Sequence, residues 1–224
     1  MTAERIRAVV VDVEGTVLPV TFVAETLFPF ARARLGRFLR EHKDDPAVAE
    51  ALADTARLSG MESVPAEDVL KRWMDEDRKV TPLKTIQGLI WADGYAEGLI
   101  KAMLYPEVAD RLRAWRAAGL RLFVYSSGSV LAQTLLFSHT TSGDLTPLFD
   151  GFFDTHIGAK TDPASYAVIQ NRLALPGQAI LFLSDSEKEL DAAAAAGFVT
   201  TLIARDGPVA SRYPVHRDFS ALGI

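Results

Sequence analysis

The sequence contains no cysteine. Disulfides and thiolate chemistry are therefore excluded, and a reducing compartment suits the chain. It also lacks a basic block. The net charge is -5 and the pI about 5.4, which argues against nucleic acid or an anionic membrane as partner. No apolar run suits a membrane span, and the alanine-rich stretch after Asp191 is too short and too weakly apolar. The N-terminal Met1-Thr2-Ala3-Glu4-Arg5-Ile6-Arg7 is charged and has none of the apolar character of a signal peptide. A cytoplasmic location is expected. No internal repeat or low-complexity linker stands out. What is present is 224 residues, 49% hydrophobic and 24% charged, the composition of a soluble globular protein. That length suits one large domain or a core with an inserted subdomain.

Short aliphatic runs at 8–11, 122–125, 152–154, 180–183 and 200–204 predict strands. Helical patterns at 106–118, 130–137, 163–173 and 186–196 separate most of them. Strands alternating with helices imply an α/β fold, a Rossmann-like parallel sheet covered on both faces. Ligands bind such sheets at the carboxyl ends of the strands. Residues 21–104 read differently. Phe22, Leu27, Phe30, Leu35 and Phe38 recur at helical spacings, and no convincing strand interrupts them. Asp45-Pro46 and Val64-Pro65-Ala66-Glu67-Asp68 read as helix starts, and Ser59-Gly60 as a stop. Thr81-Pro82 reads as another start, with Thr81 as N-cap. The expected organisation is a catalytic core of residues 1–20 and 105–224, with an all-helical cap of residues 21–104 inserted after the first strand.

Four motifs carry chemistry. Asp12-Val13-Glu14-Gly15-Thr16 follows the first strand, and strand alternation predicts Asp12 and Glu14 on the same side. Gly15 permits a sharp turn. Two carboxylates on such a turn suit a nucleophile, a Mg²⁺ ligand and a general acid/base. Tyr125-Ser126-Ser127-Gly128-Ser129 ends the second strand and opens a helix, where hydroxyls and free N–H groups can bind an anion. The same residues also serve as ordinary helix caps. Lys160 precedes a predicted helix and can hold a phosphate or neutralise a carboxylate; most single lysines are simply solvated. It is not part of a nucleotide P-loop, because the required glycine spacing is missing. Leu183-Ser184-Asp185 ends a strand with an acid that can reach a cation. Glu189 can brace Lys160 or the metal, Asp191 is expected to face solvent, and acidic residues here also suit a helix start.

These motifs, in this order, resemble the haloacid dehalogenase-like hydrolases. The resemblance implies Asp12 as nucleophile and Glu14 as general acid/base. It implies Ser126, Ser127 and Lys160 as phosphate ligands, and Asp12, Glu14 and Asp185 as the metal set with Glu189 supporting. A narrower resemblance covers most of the chain. Glu14 stands where most members carry Asp. Ala132-Gln133, Leu135-Leu136-Phe137, His139, Gln87-Gly88-Leu89-Ile90-Trp91, Gly94-Tyr95, Lys101-Ala102, Tyr105-Pro106-Glu107-Val108 and Phe153-Asp154-Thr155 are similar to the enolase-phosphatases of methionine salvage. Ser138 replaces a usual glycine, and the stretch after Asp185 varies. Neither departure removes a functional group.

That family enolises 2,3-diketo-5-methylthiopentyl-1-phosphate and then dephosphorylates it to an acireductone. Its members imply one Mg²⁺ per chain, a small phosphorylated substrate and a monomer. Alternative readings are another small phosphate ester as substrate, a metal-independent dehalogenase, or a phosphate-holding module without turnover. The enolisation base stays open: Glu14 is one candidate, and the cap supplies Lys84, Gln87, Trp91 and Tyr95. Lys84, Gly88, Trp91 and Tyr95 share a helix face by spacing, though Trp91 and Tyr95 can equally pack the cap. His139 can bind substrate or cap a helix.

Overall fold

A computed structural model describes residues 5–61, 63–206 and 209–224. The first four residues of the charged N-terminal segment lie outside the described residues. Along the chain, β1 (Ala8–Val11) leads into α1 (Val20–Phe22), a π-helical turn and α2 (Phe28–Glu41). Then come α3 (Pro46–Ser59), α4 (Ala66–Asp75) and α5 (Thr81–Ala96). From there helices and strands alternate: α6 (Val108–Ala117), β2 (Arg121–Tyr125), α7 (Val130–Ser138), β3 (Gly151–Phe153), α8 (Pro163–Leu173) and β4 (Ile180–Ser184). The chain closes with α9 (Glu187–Ala195), β5 (Val199–Ile203) and β6 (Val215–His216). Two compact units result, Met1–Val20 with Lys101–Ile224, and Thr21–Ile100.

The first unit is built on a parallel sheet of order β3-β2-β1-β4-β5-β6. All residues of β1 and β4 are buried, as expected of parallel strands covered on both faces. Val10, Phe123, Tyr125, Phe153, Tyr166, Phe182 and Phe198 share one core cluster. Tyr166 stacks edge-on against Phe182, with ring centroids 5.2 Å apart. Ala192 and Ala193 of α9 belong to the same cluster, and their small side chains allow helix and sheet to approach. The sheet has one more strand than the sequence runs predict. β6 is only two residues long, too short to show a period of two.

The Thr21–Ile100 unit has no strand among its described residues. Its core joins Leu35, Phe38, Val48, Leu70, Trp73, Leu83, Ile86 and Ile90. Asp45 caps α3 by accepting the Ala47 N–H, and Gly60 ends it at φ 65°. Helix α5 begins one residue earlier than expected. Val80 is the N-cap, Thr81 the first helical residue and Pro82 the second. Proline is tolerated throughout a first turn, so Thr-Pro does not identify the cap uniquely. At Gly94 a methyl would overlap the Phe30 ring, so glycine permits that ring to lie against α5.

Candidate active site

Parallel register assembles the site. Val11 pairs with Val124 on one side and Leu183 on the other. Asp12, Ser126 and Asp185 therefore emerge at the same edge of the sheet. Here the strand order reverses about β1, the position where open α/β sheets bind ligands. The Asp12 N–H donates to the Leu183 carbonyl at 2.9 Å. Asp12 is 6% exposed, whereas Glu14 is exposed. Strand alternation does not describe this pair. β1 ends at Val11, and the Val13 carbonyl then accepts N–H groups from Thr16, Val17 and Leu18 at 3.3, 2.8 and 3.1 Å. The chain turns instead of extending.

Lys160 is buried between Asp12 and Glu189. Its Nζ donates to Asp12 Oδ1 and lies 2.7 Å from Glu189 Oε2. Burial opposes the ammonium charge, but Asp12 and Glu189 outweigh it and raise the lysine pKa. Burial and Asp12 push the Glu189 carboxyl up, partly offset by Lys160. Ser184 Oγ donates to Glu189 Oε2 at 2.8 Å, and Thr16 Oγ1 donates to Asp12 Oδ2 at 3.3 Å. The loop before Lys160 is tied down at three successive carbonyls. Tyr125 OH holds Gly158 O at 3.0 Å, Ser165 Oγ holds Ala159 O at 2.8 Å, and Tyr166 OH holds Lys160 O at 2.8 Å. The sequence marks Lys160 as a candidate, and the fold shows it fixed between two carboxylates.

Asp185 is reached by solvent, yet its carboxylate packs against Gly15, where a methyl would overlap it. Its pKa is pushed up to about 6, first by desolvation and then by the negative charges of Asp12 and Glu189. Three carboxylates, Asp12, Glu189 and Asp185, thus face one ammonium, Lys160. This surplus of negative charge suits a divalent cation. Among the described residues no group of three or more His, Cys, Asp or Glu is placed to hold a metal. Two carboxylates completed by carbonyl and water oxygens is the ligand set that Mg²⁺ accepts.

On the neighbouring strand end, Ser126 is buried and accepts the Gly128 N–H at 3.1 Å, while Ser127 is exposed. Ser129 caps α7 through Ala132 N at 3.2 Å. Two positioning residues here have no role in the sequence reading. Asp154 accepts from Val130 N and His156 N, both at 3.0 Å, and so joins the α7 start to the Lys160 loop. Burial would raise its carboxyl pKa, but the hydrogen bonds from His156 and Val130 hold it below the usual value. Gln133 Nε2 donates to Gly128 O at 2.7 Å and to Phe153 O at 2.9 Å. Both residues lie in the quoted segments, but the bonds that join separate elements, Asp154 with Val130 and Gln133 with Phe153, span 24 and 20 residues and leave no local signal.

Of the other candidates, Lys84 is exposed and Gly88 buried. Trp91 Nε1 donates to Leu27 O at 2.8 Å, and its ring lies 6.2 Å from that of Phe28. Tyr95 is buried, which pushes its phenol pKa up. Trp91 thus packs within the Thr21–Ile100 unit. His139 follows the last turn of α7, with Nδ1 3.0 Å from Leu135 O and 2.8 Å from Ser138 Oγ. Asp191, expected to face solvent, accepts hydrogen bonds from Tyr213 OH and Arg212. The sequence reading did not bring the C-terminal segment back to α9.

A family model for haloacid dehalogenase-like hydrolases matches residues 6–197. The chain is 51% identical to the enolase-phosphatase E1 of Methylococcus capsulatus, over 97% of each chain. It is 52% identical to the enolase-phosphatase E1 of Parvibaculum lavamentivorans, over 92% of this chain and 88% of that one. The crystal structure of the UTR4 protein from Saccharomyces cerevisiae matches with a TM-score of 0.82 at 33% identity, covering 97% and 100% of the two chains. The crystal structure of CbbY from Rhodobacter sphaeroides in complex with phosphate matches with a TM-score of 0.63 at 21% identity, covering 97% and 96%, and shares the fold.

Proposed function

The chain belongs to the haloacid dehalogenase-like hydrolases and, within them, to the enolase-phosphatases, and we propose from this that it converts 2,3-diketo-5-methylthiopentyl-1-phosphate to its acireductone and phosphate in methionine salvage. The observation that carries the reading to named residues is the buried Asp12–Lys160–Glu189 arrangement beside Asp185.

Asp12 is the nucleophile. Its carboxylate attacks phosphorus, the bond to the enol oxygen breaks, and an aspartyl phosphate forms. Glu14 gives its proton to the departing enol oxygen and then takes one from the water that hydrolyses the aspartyl phosphate. Its exposure fits a group that must exchange protons with substrate and water. Ser126, Ser127 and the backbone N–H groups that follow Ser126 bind the phosphoryl oxygens together with Lys160. Glu189 and Thr16 keep Lys160 and Asp12 in place.

Asp12 and Asp185 would hold one Mg²⁺, with residue 14 contributing its carbonyl. When bound, the ion offsets the charge of two approaching anions and polarises the substrate carbonyl for enolisation. Glu14 is also one candidate base for that proton abstraction, beside groups of the cap and His139. The 21–104 segment is the cap in this reading, with Lys84, Trp91 and Tyr95 as its candidate substrate contacts. A cytoplasmic monomer with no nucleic-acid or membrane partner completes the proposal. The acidic balance argues against a nucleic-acid partner, and among the described residues no helix is long and apolar enough to cross a membrane.

The test is turnover of the diketone phosphate, with enol absorbance and phosphate release followed separately. Asp12→Asn should fold yet lose phosphate release by about a thousandfold or more. EDTA should abolish the wild-type activity. Phosphate release from unrelated esters alone, without turnover of the diketone, would favour a generic phosphatase. EDTA-insensitive turnover would favour metal-free chemistry.

A further inference from the structure

Two carbonyls of the turn after Asp12 are held by groups far away in sequence. Val17 O accepts the Tyr105 N–H at 3.0 Å, and Thr16 O accepts from Arg205 Nη2. Arg205 is itself fixed from two more directions. Its Nη1 lies 2.6 Å from Glu107 Oε1, and its guanidinium carbon stands 3.9 Å from the Tyr105 ring centroid. The Arg205 side chain is only 9% exposed. The same Glu107 oxygen accepts the Phe219 N–H at 3.2 Å, which seats the C-terminal segment against this cluster. Thr16 is fully buried, and its hydroxyl donates to Asp12 Oδ2. A continuous connection therefore runs from Glu107 through Arg205 and Thr16 to the Asp12 carboxylate.

A guanidinium suits this place for a geometric reason. Its planar fork presents separate N–H groups to a carboxylate and to a carbonyl while its face lies on an aromatic ring. A lysine would keep the charge but lack the planar fork and the flat face that lies on the ring. The Ser126 loop and Lys160 lie on other segments of the chain. Displacing Thr16 would therefore disturb the attacking carboxylate first, and Lys160 only through it.

We propose that Arg205, oriented by Glu107, is a positioning residue for the nucleophile, acting through Thr16 on the angle and reach of the Asp12 carboxylate. The proposal rests on the reading of Asp12 as nucleophile. Small misplacements of a reacting group cost rate more than affinity. Arg205→Gln should therefore lower kcat by about tenfold or more and leave KM within about twofold. Thr16→Val, which removes the hydroxyl but keeps the backbone carbonyl, should give a similar loss. Because both act along one connection, the double variant should lose about as much as the worse single, well short of the roughly hundredfold expected from independent sites.

The experiment measures kcat and KM for phosphate release from the diketone phosphate in all four proteins. Active enzyme is normalised to the folded fraction from thermal melts. Arg205→Lys keeps the charge but loses the planar fork and its face on the Tyr105 ring, so it should restore part of kcat; if Arg205→Gln does not fold, the lysine variant carries the cycle. A normal kcat per folded molecule, a loss confined to KM, or losses that multiply would each overturn the proposal. Asp12→Asn run alongside separates the two readings. If it turns over normally, the nucleophile assignment fails. If it is silent while Arg205→Gln is normal, only the positioning role fails.

Discussion

Asp185 and Gly15 occupy one space: the Asp185 carboxylate lies where a side chain at residue 15 would begin. Gly15 also has φ +72°, a conformation that side-chain-bearing residues avoid. A methyl there would meet the movable end of Asp185 before any backbone. Gly15→Ala should thus cost only about 1–2 kcal/mol of stability from the backbone. It should raise the Mg²⁺ concentration for half-maximal activity by about tenfold or more, since a displaced ligand loses affinity. Metal titrations of activity beside urea melts check both halves. An unchanged metal requirement would dissociate Asp185 from the cation.

Lys160→Met addresses the charge balance. It leaves Asp12 and Glu189 facing each other without the ammonium between them. Breaking a buried pair in this way costs about 3–5 kcal/mol. The Glu189 carboxyl already sits above its usual pKa through burial and the nearby Asp12. It will take up a proton more readily once Lys160 is gone. Destabilisation should therefore be larger at about pH 8 than at about pH 5.5, by urea denaturation at both values.

The Asp185 pKa has a sign that can be tested without turnover. It stands at about 6 against an ordinary 3.8. The fold therefore favours the neutral acid, and stability falls as pH rises from the ordinary value through 6. A bound divalent cation reverses this, because it favours the ionised form. Millimolar Mg²⁺ should raise the melting temperature clearly at about pH 7.5 and little at about pH 5. Asp185→Asn should abolish most of that response and melt no lower than wild type in EDTA at the higher pH. Equal Mg²⁺ shifts at both pH values would refute the linkage.

Glu14→Gln separates the two half-reactions. If Glu14 serves both, enol formation and phosphate release should fall together by about a hundredfold or more. Parallel recording of enol absorbance and released phosphate decides this. Normal enol formation with blocked release would move the base to another group, with Lys84 and His139 the first to substitute.

The α/β class and the main strands were legible in the sequence because buried parallel strands are short aliphatic runs, and 8–11 and 163–173 match β1 and α8 end to end. Local chemistry also announced the α3 boundaries, since Asp45-Pro46 and Ser59-Gly60 act on their own backbone. The acids and hydroxyl at strand ends pointed to Asp12, Ser126 and Asp185, because each follows a readable strand, whereas Lys160 stood out only through the resemblance of the ordered motifs to a known family. Other features needed the folded chain. Alternation failed for Glu14 because the strand stops at Val11. The Thr81 cap failed because proline fits more than one position of a first turn. β6 was invisible because two residues have no period. Arg205 reaches Thr16 across 189 residues and Lys160 reaches Asp12 across 148. Such pairings are set by sheet order and register, so sequence spacing carries no trace of them, and only the tertiary structure could decide which charges meet.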